Sequence, residues 1–164
     1  MNILFFTTSF NSVRQTLEKM PNIKLHIIDC ADYQNESFYD MKKKVREDVN
    51  NHFKKEGLPD LMLSYRYPLI IPKDVFSKTR LGAYNIHPSL LPKYSGLNPW
   101  EDIFRNHESE SGVTLHQITE NVDAGPVVFQ SSFMIEESDT LESARKKADI
   151  QAAELTRMLI EKFI

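Results

Sequence analysis

Cysteine is almost missing from this chain. Cys30 is the only one, so no intramolecular disulfide can close and no cysteine-based metal cluster can be assembled within one chain. A reducing compartment suits that composition, and a cytoplasmic protein is expected. Long apolar runs are missing too. The N-terminal stretch Met1-Asn2-Ile3-Leu4-Phe5-Phe6 is too short for a signal peptide and lacks its basic residues, and nothing approaches the roughly 20 apolar residues of a membrane span. Nor is there a basic surplus. Twenty Lys and Arg against 23 Asp and Glu give a net charge of -3 and a pI near 6.0, which offers no electrostatic reason to expect nucleic acid as the main partner. Internal repeats, low-complexity segments and linkers are absent, so no second domain is expected. What is present, 164 residues of which 41% are hydrophobic and 26% charged, suits one globular domain spanning 1–164 around a single buried core.

The order of patterns predicts an α/β protein. Ile3 to Phe6 reads as a buried strand ending in the polar Thr7-Thr8-Ser9, a helix from about Asn11 to Met20 follows, and Ile23 to Ile28 reads as a second strand after Pro21-Asn22. This strand, helix, strand rhythm favours a Rossmann-like, mostly parallel central sheet flanked by helices. Residues 36–56 carry Phe38, Met41, Val45, Val49 and Phe53 at steps of three and four, the mark of an amphipathic helix whose lysine-rich face is solvated. Leu61 to Leu63 and Ala83 to Ile86 are further strand candidates, the latter ended by Pro88, with a short helix between them at Lys73 to Lys78. Pro99 to Asn106 reads as a helix, and Val113 to Ile118 and Val127 to Ile135 as strands. Asp139 with Glu142 three residues on signals the start of a last helix, whose core stripe is Leu141, Ala144, Ala148, Ala152, Leu155, Leu159 and Phe163.

Asn85 and His87 stand two apart on an extended segment, so their side chains share a face at a strand end, where open α/β sheets place ligands. An amide N–H beside an imidazole that titrates near neutrality suits stabilisation of an oxyanion. Asp123, in the turn-rich Asn121-Val122-Asp123-Ala124-Gly125-Pro126, offers a carboxylate to orient such a histidine and raise its pKa. Each residue also has a structural reading, as a hydrogen-bonded strand end or a turn former. The residues by themselves give a candidate acid–base site and leave its reaction open.

Three segments in order, Asn85-Ile86-His87-Pro88-Ser89-Leu90-Leu91-Pro92, Gly112-Val113-Thr114-Leu115-His116-Gln117-Ile118 and Asp123-Ala124-Gly125-Pro126-Val127-Val128-Phe129-Gln130, closely resemble the folate-dependent formyltransferase family, and the resemblance runs from the first strand to the last helix. It implies that an amine attacks the formyl carbon of 10-formyltetrahydrofolate, with Asn85, His87 and Asp123 as catalytic residues and no metal. By the same resemblance Asn85 and His87 meet the oxyanion while Asp123 holds His87 and assists proton transfer, and His116 is a supporting or packing residue. Leu69, Ile70 and Ile71 are expected on one wall of the pterin pocket and Thr119, Glu120 and Asn121 on the other. Trp100, at a helix start, is expected to pack.

One departure bears on the acceptor. The family's glycinamide ribonucleotide enzymes carry a glycine-rich turn after the first strand that holds a phosphate, and here the stretch is Ser9-Phe10-Asn11-Ser12-Val13. Without glycine a backbone bends less readily around a phosphate. Asn11 and Ser12 are expected either to receive a polar group of the substrate or to cap the first helix. The chain reaches Ile164 without the RNA-gripping barrel of the methionyl-tRNA enzymes, so tRNA is disfavoured. Together with Ser64-Tyr65-Arg66-Tyr67, which resembles the sugar and peptide-synthetase enzymes, this favours an amino sugar or similar small amine. The alternatives are phosphoribosylglycinamide formylation, hydrolysis of 10-formyltetrahydrofolate and an inactive folate-binding module. The resemblance leaves a homo-oligomer open.

Overall fold

The computed structural model describes residues 1–8 and 10–164. In chain order the elements are β1 (Asn2–Thr7), α1 (Ser12–Lys19), β2 (Lys24–Asp29), a 3-10 turn (Cys30–Tyr33), α2 (Phe38–Glu56), β3 (Leu61–Tyr65), α3 (Lys73–Phe76), β4 (Ala83–His87), α4 (Pro99–Arg105), β5 (Glu110–Gln117), β6 (Val127–Met134) and α5 (Leu141–Glu161). The strands form one sheet in the order β2-β1-β3-β4-β5-β6. The pairings β1/β2, β1/β3 and β3/β4 are parallel and those of β4/β5 and β5/β6 antiparallel, so the α/β, Rossmann-like fold of the sequence reading is what the chain adopts.

The sheet separates two apolar clusters where one core was expected. Alternation along β1 sends Ile3 and Phe5 to the side of α1 and α5, and Leu4 and Phe6 to the side of α2, because successive side chains of a strand leave opposite faces. Leu61, Leu63 and Tyr65 of β3 join the first cluster and Met62 the second. The alanine stripe Ala144, Ala148 and Ala152 of α5 is fully buried; residues this small let the helix approach the sheet and α1 closely.

Three local expectations are corrected. In α2 the buried residues are Val45, Val49 and His52, while Phe38 is 60% exposed with the Lys42 ammonium over its ring; Phe38 opens the helix, and the sequence period did not mark His52, which stacks on His26 of β2. The cap of α5 is Thr140, whose side chain accepts from the Ser143 N–H while the Ser143 hydroxyl accepts from the Thr140 N–H. Asp139 instead accepts from the Glu136 N–H and pairs with Lys147. Phe163 lies beyond the end of α5 and is half-buried. Among the described residues no helix is long and apolar enough to cross a membrane.

Candidate active site

A cleft of about 600 Å³ opens at the carboxyl ends of β3 and β4, the position that parallel strands leave free for ligands. Parallel pairing sets Ser64 of β3 beside Asn85 of β4, and antiparallel pairing sets Asn85 opposite His116 of β5. A register shift in the β5/β6 pairing falls between Leu115 and His116, the kind of irregularity that re-aims a side chain next to a site. Asp123 reaches the same place from the β5–β6 connection with φ of 52°, a left-handed conformation that Asp tolerates better than most residues.

These residues form one hydrogen-bonded group. The Asp123 carboxylate lies 3.3 Å from His87 Nδ1 and 3.6 Å from His116 Nε2, and accepts from the Gly96 N–H at 2.8 Å. His87 Nε2 is 2.7 Å from the Tyr94 carbonyl and His116 Nδ1 is 3.0 Å from the Gln117 carbonyl. Carbonyls only accept, so both of those ring nitrogens carry hydrogen. His116 Nε2 then accepts from the Asn85 amide at 3.2 Å while the ring is neutral, which directs the Asn85 side chain and leaves its second N–H for the cleft. For His87 the consequence is different. With Nε2–H given to Tyr94, a neutral ring turns a bare lone pair toward Asp123, and only the imidazolium satisfies both neighbours.

Burial is the largest influence on His87 and holds its pKa below the ordinary imidazole value; the Asp123 charge and the Tyr94 carbonyl pull it back only in part. The sequence expectation of a raised value is thus corrected, because a buried imidazolium loses more hydration than one carboxylate returns. Burial also pushes Asp123 upward, but the adjacent His116 ring, the hydrogen bond from the Gly96 N–H and the His87 imidazole together outweigh it and leave the carboxyl below its ordinary value. Asp123 is therefore ionised at neutral pH.

Leu69, Ile70 and Ile71 line the cleft, Leu69 and Ile71 rooted in the α2-side core and Ile70 75% exposed. Thr119 and Asn121 line it as well, whereas the exposed Glu120 pairs with Lys73 outside it. Trp100 both packs in the α5-side core and lines the cleft. Asn11 and Ser12 do not line it. Asn11 is buried, accepts from the Arg14 N–H as the cap of α1 and donates to the Thr7 hydroxyl; Ser9, of the same stretch, lies outside the described residues. The sequence reading missed Arg66, Leu97, Arg145 and Asp149 among the lining residues. For Arg145 and Asp149 a signal existed, since each directly follows a buried alanine of the α5 stripe, Ala144 or Ala148.

Residues 2–159 match the sequence profile of the formyl transferase family. The chain belongs to that family. Among similar formyl transferase relatives are the bifunctional polymyxin resistance protein ArnA of Wigglesworthia glossinidia brevipalpis, 43% identical over 54% of this chain and 14% of that protein, and the methionyl-tRNA formyltransferase of Wolbachia pipientis subsp. Culex pipiens, 33% identical over 82% of this chain and 43% of that protein. The chain thus spans less than half the length of these relatives. Solved structures with the same fold include the phosphoribosylglycinamide formyltransferase of Bacillus halodurans, with a TM-score of 0.72, 22% identity and coverage of 97% and 95% of the two chains. A formyltetrahydrofolate deformylase of Pseudomonas syringae pv. tomato has a TM-score of 0.79 at 16% identity, with 96% of this chain and 59% of that one covered.

Proposed function

We propose that this formyl transferase domain moves a formyl group from 10-formyltetrahydrofolate to the amine of a small acceptor, an amino sugar or similar molecule, with Asn85, His87 and Asp123 as catalytic residues. The observation that carries the reading is the convergence of an amide donor, an imidazole and an ionised carboxylate in one cleft whose wall of Leu69, Ile70 and Ile71 suits a flat ring system. The donor supplies an activated formyl carbon. Asn85, steered by His116, offers its free N–H to the oxygen that becomes negative when the amine attacks; one such preorganised donor is worth about a hundred- to a thousandfold in rate. His87, kept neutral at rest by burial, becomes the imidazolium that the Tyr94 carbonyl and Asp123 both satisfy when its Nδ1 takes up a proton. Asp123 takes the proton that the attacking nitrogen must lose, directly or through His87 Nδ1, and the proton passes to the folate nitrogen as its bond to the formyl carbon breaks and tetrahydrofolate leaves.

A second reading of the acceptor, the aminoacyl end of a tRNA, draws on identity to the Wolbachia pipientis methionyl-tRNA formyltransferase over 82% of the chain. One experiment separates the readings. Purified protein is incubated with 10-formyltetrahydrofolate and amino sugars, glycinamide ribonucleotide, methionyl-tRNA or no amine, and products are followed by mass spectrometry. A formylated amino sugar at the highest kcat/KM supports the first reading. Formyl-methionyl-tRNA or formylglycinamide ribonucleotide as the best product replaces it, and formate released without amine makes the protein a hydrolase.

A further inference from the structure

The cleft has two chemically different sides. One is apolar: Leu69 and Ile71 with the exposed Ile70, and Ile118 and Val122 from the chain after β5. The other is ionic. Arg66, directly after β3, and Arg145 and Asp149, one turn apart on α5, all line it with Tyr65. The buried Tyr65 hydroxyl donates to Asp149 Oδ1 at 2.5 Å, and Arg66 Nη1 lies 3.6 Å from Asp149 Oδ2. Both carboxylate oxygens are thereby engaged. Arg66 is fixed from two directions, by that carboxylate and by a left-handed backbone with φ of 55°, and Tyr65 pairs with Ile86, which brings Arg66 to the level of His87. Arg145 pairs with no carboxylate among the described residues. Two guanidiniums against one carboxylate leave a surplus positive charge on this side of the cleft, apart from Asp123, which is engaged by His87, His116 and the Gly96 N–H.

We propose that Arg145 and Arg66, with Asp149 and Tyr65 holding Arg66 in place, bind an oxyanion carried by the amine acceptor, a phosphate or carboxylate. This rests on the formyl-transfer reading, from which the assignment of sides follows. The flat ring of the donor is accommodated on the Leu69 to Ile71 side, and direct transfer requires the nucleophile to approach the formyl carbon from a different direction in the same cleft. The acceptor is left with the ionic side. Guanidinium suits the task because its planar fork matches two oxygens of a phosphate or carboxylate, and it is more weakly hydrated than ammonium. Among the described residues of the β1–α1 turn, 10–12 do not line the cleft, and the Asn11 side chain caps α1 and reaches Thr7. Acceptor recognition then falls to side chains directly after β3 and on α5.

The test titrates inorganic pyrophosphate, and separately 5-formyltetrahydrofolate, into the wild-type chain and into the Arg145→Ala, Arg145→Gln and Arg66→Lys variants by calorimetry. Arg145 is exposed on α5, so its variants should keep the thermal midpoint; if the alanine form fails to fold, the glutamine form retains the aliphatic stem and carries the measurement. Pyrophosphate should bind the wild type, weaken at least tenfold without the Arg145 charge and weaken less in Arg66→Lys, while the folate affinity stays within about twofold. Absence of pyrophosphate binding, or binding unchanged by the Arg145 variants, overturns the proposal. Loss of folate affinity with pyrophosphate unaffected also overturns it, by assigning the guanidinium to the carboxylates of the folate tail. If pyrophosphate binding depends on Arg145 but the protein neither binds 5-formyltetrahydrofolate nor consumes 10-formyltetrahydrofolate, the anion site stands and the formyl-transfer reading falls.

Discussion

His87 is held at both nitrogens, by the Tyr94 carbonyl at 2.7 Å and by Asp123 at 3.3 Å, and its chemistry depends on which partner stays. Asp123→Asn keeps the shape and removes the charge that raises the His87 pKa, so the value, already lowered by burial, should fall further in an NMR titration. Turnover should drop by about a hundredfold or more, the usual worth of a positioned acid or base, with 5-formyltetrahydrofolate affinity nearly unchanged. A His87 pKa that does not move would show that the two side chains are uncoupled. Tyr94 acts from further out. With φ of 56° its carbonyl faces His87, and its phenol is fastened to Glu108 at 2.6 Å and to Asn106 at 3.1 Å. Tyr94→Phe removes only that fastening, and kcat should fall by up to about tenfold, the value of one net hydrogen bond, with KM for the donor unchanged; a rise in KM alone would make Tyr94 a binding residue. That Asn85, His87 and Asp123 converge was legible from the strand-end spacing of the first two and from the family resemblance that brought in the third. The Tyr94 carbonyl and Gly96 N–H were not, since any residue supplies those groups and only the loop's path turns them inward.

At the scale of elements, the turn that carries Asp123 depends on a missing side chain. A Cβ at Gly125 would come within 1.9 Å of the Gln117 carbonyl oxygen, so Gly125→Ala must push the turn away from β5. Overpacking of this kind costs about 1–3 kcal/mol, and turnover should fall at temperatures where the variant is still folded; full activity would mean that the turn relaxes without moving Asp123. In α2 the lysine-rich face was read correctly, but His52 was passed over because a histidine next to Phe53 looks solvent-facing in a helical pattern. It is buried with Nδ1 unpartnered and stacks on His26 at 4.3 Å. Burial lowers its pKa, His26 and Lys24 add to the lowering and Glu56 opposes it; Asp48 and Lys55 also act on its stacking partner, His26. A histidine whose folded pKa lies below its unfolded value near 6.5 contributes stability above pH 6.5 that is lost as pH falls through the folded pKa. In urea unfolding, His52→Phe should therefore flatten the decline in stability between pH 7 and pH 5 without destabilising the protein at pH 7.5. A slope equal to that of the wild type would place the proton uptake elsewhere.

For the whole molecule, the parallel half of the sheet was readable from the strand, helix, strand order. The antiparallel turn of β5 and β6 was not, because apolar runs such as Val113 to Ile118 fix that a strand forms and leave its direction to tertiary pairing. The division of the core into two clusters follows from the sheet running through the middle, with β1 contributing alternate residues to each, and the cleft inherits an apolar wall from one cluster and Tyr65 and Trp100 from the other. A ligand spanning that wall should tie strand ends to the loops at residues 66–72 and 118–123, and so stabilise the fold as a whole. 5-Formyltetrahydrofolate at a hundredfold excess over its Kd adds about 2.7 kcal/mol, or about 5–11 °C in the thermal midpoint of a chain of this size. Ile70→Asp isolates the cause. Ile70 is exposed at the cleft wall, so the free variant should melt with the wild type, whereas an aspartate set against the flat donor ring should remove most of the ligand-induced shift. No shift in the wild type at millimolar concentration would sink the donor assignment. An equal shift in both proteins would mean that the ring binds away from Ile70 and that the apolar wall serves something else.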